Sequence, residues 1–534
     1  MSGGAMTDTT WTPGEAAARD PRNHPDLPWW KSAVIYQIYP RSFLDTSGDG
    51  VGDLEGIRRR LDYLAWLGVD ALWLSPIFRS PMADFGYDVS DYCDVDPLFG
   101  SLDELDRLVA EAHARGLRLL LDWVPNHTSD RHPWFLESRQ SRSSAKRGWY
   151  VWRDPAPERG PPNNWMAAFP RDTRAWTFDD ATGQYYLHCF LPEQPDLDWS
   201  NPEVAAAMHE VLRFWLDRGI DGFRVDVVHC LGKDPALPDD PPDLAAIPHS
   251  ALNDQPATHG VLRDLRRLVD GYPGDRMLVG EVYLLVQPDV TRYYGRGDEL
   301  HLVFDLPRTL HTPWDAAAWR ERTEAVQTAY AAAGAWPTLV LSNHDTPRHR
   351  TRLGSEARAR AAAVLLLTLP GTPFLYAGEE LGLEDAVVPP DRRVDPGGRD
   401  GCRAPIPWDQ SARHGWAGEP WLPWPPRAER CAVSVLRDDP SSILHLYRRL
   451  LAARRASPAL QVGDWTVREA PDGVLAYERV AGTDRRLVLV NFTSEPVTVP
   501  AAGRVVVASY GGSEGAEFRG ELVADAAVVL VPGR

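Results

Sequence analysis

Lysine is nearly absent from this 534-residue chain: Lys31, Lys146 and Lys233 are the only three among 57 cationic side chains. Arginine carries the positive charge instead, a bias that fits a GC-rich genome better than any physical demand. Cations are also outnumbered. With 75 acidic residues the formal net charge is −18 and no basic block occurs, which argues against nucleic acid or an anionic membrane as a partner. Cysteine is scarce and scattered. Cys93, Cys189, Cys230, Cys402 and Cys431 show no CxxC spacing and read as free thiols in a reducing cytoplasm. No run of 18 apolar residues suggests a membrane span, and no basic stretch with an apolar core precedes the first strand as a secretory signal would. What remains is an ordinary globular composition, 43% hydrophobic and 25% charged, in a chain long enough for one large domain with additions.

The middle of the chain alternates short apolar runs with helical patterns. Strands are expected at residues 33–39, 70–75, 118–124, 222–228, 277–283, 301–306, 338–343 and 373–378. Helical spacing lies between them, in the stripe Leu54, Ile57, Leu61, Leu64 and over residues 104–114, 203–216, 260–269 and 357–369. Eight strands separated by helices predict an α/β fold, a parallel (β/α)8 TIM barrel with its active site at the C-terminal strand ends. Residues 1–25 read as a disordered leader, 26–127 as the first part of the barrel and 201–456 as the second. The connection 128–200, rich in Trp, Pro, Arg and Asp, is too long for a barrel turn and reads as a subdomain inserted after strand 3. Residues 384–426 read as loops over the same face, and 457–534 as a C-terminal all-β sandwich.

Four strand ends carry polar groups. Arg224 and Asp226 in GFRVDV leave one face of a strand, because side chains at i and i+2 point the same way. A guanidinium so close favours the ionised carboxylate, which suits a nucleophile. DWVPNH (122–127), GEVY (280–283) and SNHD (342–345) follow three further apolar runs.

These stretches, DWVPNHTS (122–129), GFRVDVVH (222–229), GEVY and LSNHDTPR (341–348), resemble the conserved regions of the α-amylase family, glycoside hydrolase family 13. QPDLDW (194–199) is similar to the signature of its oligo-1,6-glucosidase and α-glucosidase branch, and GRDGCRAPIPW (398–408) to a loop of actinobacterial α-glucosidases. The resemblance implies Asp226 as nucleophile, Glu281 as general acid/base and Asp345 as transition-state stabiliser. A retaining mechanism needs two carboxyl groups about 5–5.5 Å apart, and Glu281 must hold its proton near neutral pH. It further implies a small-sugar pocket closed by Asp84, Tyr87 and Arg399, with Tyr87 stacked on the terminal glucose and Asp84 and Arg399 on its 4-hydroxyl. Phe169 is a candidate wall, and His127 and His344 are candidate partners for sugar hydroxyls.

The implied activity is exo-acting hydrolysis of short α-glucosides, possible with transfer to acceptor sugars. The alternatives are an oligo-1,6-glucosidase, a dedicated glucosyltransferase or a trehalose-synthase-type isomerase, in a monomer or homodimer without organic cofactor. The loop Asp45–Asp53 (DTSGDGVGD) resembles a structural calcium (Ca2+) loop, with Asp45, Ser47, Asp49, Val51 and Asp53 as ligands and Ser47 standing where relatives carry Asn. Val227, next to the nucleophile, resembles the residue of α-1,6-cleaving relatives, whereas His229 departs from their Asn.

Overall fold

The apolar runs become eight strands of one parallel sheet in the computed structural model. It describes residues 27–533, apart from 159, 171–172, 249, 253, 286–288 and 307–309. The leader expected over residues 1–25 lies outside the described residues. The strands are β1 (Ile35–Ile38), β2 (Ala71–Leu74), β3 (Arg118–Trp123), β4 (Gly222–Val225), β5 (Met277–Glu281), β6 (Leu302–Phe304), β7 (Thr338–Val340) and β8 (Thr372–Tyr376). Their order is β6-β5-β4-β3-β2-β1-β8-β7. The end strands β6 and β7 meet where the Thr338 hydroxyl donates to the Val303 carbonyl at 2.9 Å, so the sheet curls into a nearly closed barrel.

Both faces of each strand are buried, which is why the runs are continuously apolar rather than alternating. Ile35, Ala71, Trp73, Leu120, Val279, Phe304 and Phe374 fill the barrel interior. Their neighbours Tyr36, Leu72, Leu119, Leu121, Phe223, Leu278 and Val303 pack outward under the helices. The interior is capped toward the C-terminal face by Trp73, whose ring lies 5.6 Å from that of Phe304.

The stripe expected at 54–64 forms two helices, α1 (Leu54–Arg59) and α2 (Leu61–Leu67), broken at Arg60. α3 (Leu102–Ala114), α4 (Pro202–Asp217) and α5 (Pro256–Asp270) follow their strands as expected. A helix without a sequence expectation, α6 (Ala316–Ala332), joins β6 to β7. Its buried stripe is Ala316, Trp319, Thr323, Val326 and Tyr330, helical in spacing but carried partly by small and polar residues. α7 (Glu356–Thr368) is buried on nearly all sides from Ala359 onward, because the barrel covers one side and the C-terminal sheet the other. α8 (Ile443–Arg455) ends the barrel.

Between β3 and β4 the insertion holds a short helix, Pro133–Ser138, and a three-stranded antiparallel sheet of Trp152–Arg153, Gln184–Leu187 and Trp176–Asp179. The antiparallel bridge His127↔Asp196 ties it back to the end of β3. The C-terminal part is an antiparallel sheet of β9 (Asp464–Arg468), β10 (Val474–Ala481), β11 (Asp484–Asn491), β12 (Gly503–Ala508) and β13 (Ala526–Pro532), with a small two-stranded ribbon beside it. Among the described residues no helix is long and apolar enough to cross a membrane.

Candidate active site

At the C-terminal end of the barrel the polar strand ends meet in a pocket of about 250 Å³. Asp226 follows β4, its amide donating to the Trp123 carbonyl of β3 at 2.9 Å. The next residue, Val227, is left-handed at φ 35° and ψ 50°. That conformation strains a β-branched side chain, by on the order of 1–3 kcal/mol. It turns the Val227 amide toward Glu281 Oε2 at 3.4 Å and leaves the isopropyl group on the pocket wall.

One guanidinium organises the carboxylates. Arg224, 2% exposed, donates from Nη1 to Asp226 Oδ1 at 2.7 Å and to Asp122 Oδ1 at 2.7 Å, and from Nη2 to Glu281 Oε2. Its charge lies 5.4 Å from the Trp73 ring centroid. Burial pushes the Asp226 carboxyl well above its usual range; Arg224 pulls it back and the neighbouring Glu281 and Asp122 raise it again. The crowded carboxylates thus add to burial in favouring a proton on Asp226, against the pull of Arg224. Asp122 is pushed up to about 6 by burial, against the pull of Arg224 and the Tyr87 hydroxyl.

Asp345, after β7, takes the opposite direction. Burial would raise it, but His344, Arg399 and Arg403 outweigh that and hold it well below the ordinary carboxylate range. His344 is itself pushed down to about 3 by burial, so the cations present at neutral pH are the arginines. Arg399 Nη1 and Arg403 Nη2 donate to Asp345 Oδ1 at 2.9 and 3.0 Å. Arg399 also grips Asp84 Oδ1 at 2.7 Å and both oxygens of Asp395. The far oxygen of Asp84 accepts from Gln194 Nε2 at 3.1 Å, which closes one end of the pocket.

Of the ten catalytic and sugar-binding residues expected from sequence, eight line this pocket: Asp84, Tyr87, His127, Phe169, Asp226, Glu281, Asp345 and Arg399. Arg224 and His344 stand behind it. The His344 ring accepts from Gln37 Nε2 at Nδ1 (2.7 Å) and meets the Tyr87 hydroxyl at Nε2 (2.6 Å), so both ring nitrogens have protein partners. Tyr87 also differs from expectation in part: its ring stacks on His344 at 5.6 Å and its hydroxyl donates to Asp122 at 3.0 Å. Phe169 sits under the Arg399 guanidinium at 5.2 Å. Sequence reasoning quoted Asp122, Gln194 and Arg403 inside its motifs without giving them a role, and it missed Asp395. It also missed an apolar outer wall of Tyr283, Leu306 and Leu310, with His311 beside them. Leu306 and Leu310 follow β6, a strand end to which the barrel rule could have been applied.

The Asp45–Asp53 loop lies elsewhere and is closed by its own hydrogen bonds. Asp45 accepts from the amides of Ser47, Gly48, Gly50 and Gly418, Asp49 from Val51, and Asp53 from Thr46 and Gly56 as the cap of α1. Each Asp45 oxygen already accepts two amides, so of these carboxylates Asp49, whose Oδ1 accepts one amide, keeps the most lone-pair capacity for a cation. Among the described residues no three acidic, histidine or cysteine side chains are grouped to hold a metal, so a cation here would rest partly on the Ser47 hydroxyl and the Val51 carbonyl.

Residues 37–463 match the family model described as alpha amylase, catalytic domain, and residues 463–529 match a domain of unknown function, DUF3459. The chain is 42% identical over 519 residues to a probable alpha-glucosidase of Rhizobium meliloti (strain 1021), covering 89% of this chain and 91% of that protein. It is 37% identical over 520 residues to an oligo-1,6-glucosidase of Parageobacillus thermoglucosidasius, covering 88% and 91%. The solved structure of an alpha-glucosyl transfer enzyme, XgtA, superposes with a TM-score of 0.88 at 41% identity, over 95% of this chain and all of that one.

Proposed function

The chain belongs to the α-amylase family of glycoside hydrolases, and on that premise we propose that it is a retaining, exo-acting α-glucosidase. The observation that carries the reading is the shared guanidinium: Asp226 and Glu281 are held by the two terminal nitrogens of Arg224. Carboxylates gripped by one guanidinium fork are neighbours, which suits the about 5–5.5 Å of a retaining site better than the wider separation of an inverting one.

Asp226 attacks the anomeric carbon while Glu281 gives its proton to the departing glucosidic oxygen, leaving a glucosyl ester on Asp226. Glu281, now a carboxylate, takes a proton from water, which opens the ester and frees glucose with the starting configuration. Asp345, ionised by Arg399 and Arg403, faces the positive charge that grows on the ring. The end closed by Asp84, Gln194 and Arg399 supports removal of one terminal glucose at a time. Five thiols without a disulfide support a cytoplasmic location.

Linkage is set on the other side. Val227, Tyr283, Leu306 and Leu310 make an apolar wall where the leaving sugar departs. One wall side chain shifts selectivity by about 1–3 kcal/mol. A product time course on maltose, isomaltose, sucrose and trehalose is expected to release glucose from isomaltose faster than from maltose. Val227→Thr should narrow or reverse that ratio by roughly 10- to 100-fold. Rearranged disaccharide with little free glucose would move the enzyme to the isomerases, and glucosylated acceptor would make transfer, as the name of XgtA describes for that protein, the main activity.

Calcium at the Asp45–Asp53 loop is part of the same proposal, with a structural role. Binding only the folded state, it raises Tm with concentration. Calcium is expected to raise Tm by several degrees over EDTA-treated protein while kcat stays the same. An unchanged Tm removes the metal.

A further inference from the structure

Lys233 is a scarce residue in a demanding place. It follows β4 in the stretch after Asp226, with a side chain only 7% exposed. Its ammonium has three donors and meets three oxygens: the Cys230 carbonyl at 2.8 Å, Asn126 Oδ1 at 2.9 Å and Asp196 Oδ2 at 3.1 Å. Arginine, which replaces lysine almost everywhere else in this chain, has a flat fork that does not converge on three such points. Burial would discharge the amine, but Asp196 outweighs it and holds the lysine above its usual range.

The consequence passes through Asn126 to His127. With Asn126 Oδ1 bound to the ammonium, its Nδ2 faces His127 Nδ1 at 3.2 Å as a donor. Burial lowers His127, so the ring is neutral and has one lone pair and one N–H. Nδ1 accepts; the proton is therefore on Nε2, where the Tyr87 carbonyl lies at 3.2 Å. Gln194 pulls the other way. Its Oε1 is fixed by the Leu191 amide at 3.0 Å, and its Nε2 stands 3.1 Å from His127 Nε2 as a competing donor. Were Asn126 free to rotate, its oxygen could face Nδ1, the proton would move there, and Nε2 would accept from Gln194.

We propose that Lys233 is a positioning residue which fixes the Asn126 amide and so keeps His127 protonated at Nε2, where its N–H holds the Tyr87 carbonyl and sets the ring on the pocket wall. The inference rests on the α-glucosidase reading only for the substrate used in its test. Lys233→Met is the direct test, and Lys233→Met with Asp196→Asn removes the charge as a pair should the single variant fail to fold. In either, kcat/KM on isomaltose is expected to fall about tenfold. In a His127→Ala background the same change should cost less than twofold, since the residue it acts through is gone. A merely structural lysine would lower activity by the same factor in both backgrounds, which overturns the proposal. Lys233→Arg should not restore the loss. Nitrogen-15 spectra of the His127 ring give a readout independent of turnover: protonated Nε2 in the wild type, and protonated Nδ1 gaining population in the variant. An unchanged tautomer also overturns the proposal, whereas wild-type protein that cleaves no α-glucoside overturns the function and leaves the tautomer result standing.

Discussion

Asp226→Asn is expected to lower kcat on every α-glucoside by roughly 10⁴-fold or more, because no other group is placed to form the glucosyl ester. The amide has the size of the carboxyl, and the Asp226 main-chain bond to the Trp123 carbonyl is untouched, so the fold should survive. The charge is what disappears. Arg224 then faces Glu281 and Asp122 alone. The substitution therefore removes the proposed nucleophile while leaving its neighbours in place. Steady-state rates on an aryl α-glucoside and on isomaltose, beside Tm for both proteins, provide the check. Intact-mass spectra during turnover should show a glucosyl adduct in the wild type and none in the variant. A variant within tenfold of wild type would remove Asp226 from the mechanism.

The barrel was legible in the sequence because parallel strands buried on both faces leave short, uninterrupted apolar runs, and all eight appear within a few residues of their expected bounds. α6 was not, since its inward stripe relies partly on Ala316 and Thr323, which do not register as a hydrophobic period. α7 reads as a helix although it is apolar almost all round, for its length and flanks exclude a strand. In the site, the residues that touch the pocket were legible as strand-end polar groups. Those that brace it were less so. Nothing local says that Gln37 lies against His344 or that Gln194 reaches Asp84, because these contacts join segments more than a hundred residues apart. His344 shows the limit most clearly: position placed it at the site, but only the packing reveals that both ring nitrogens are already engaged.

Glu281→Gln should separate the two halves of the reaction by substrate and by pH. The glutamine cannot protonate a departing oxygen, so isomaltose turnover is expected to fall about 10²–10⁴-fold, the usual worth of general acid–base help. An aryl glucoside whose phenol leaves without a proton should lose far less in ester formation, and the ester should then accumulate because no base activates water. The pH profile should change on one side. In the wild type the acid limb of kcat/KM is expected to follow deprotonation of Asp226, which burial displaces upward, and the basic limb to follow loss of the proton that the general acid must give. Asp226 ionises beside a general acid that still carries its proton, and glutamine is equally neutral, so the acid limb should stay near its place. Glutamine has nothing to ionise, so the basic limb disappears. A basic limb that survives the substitution would mean that another group supplies the proton, and the hold of Arg224 on Glu281 would lose its meaning for catalysis.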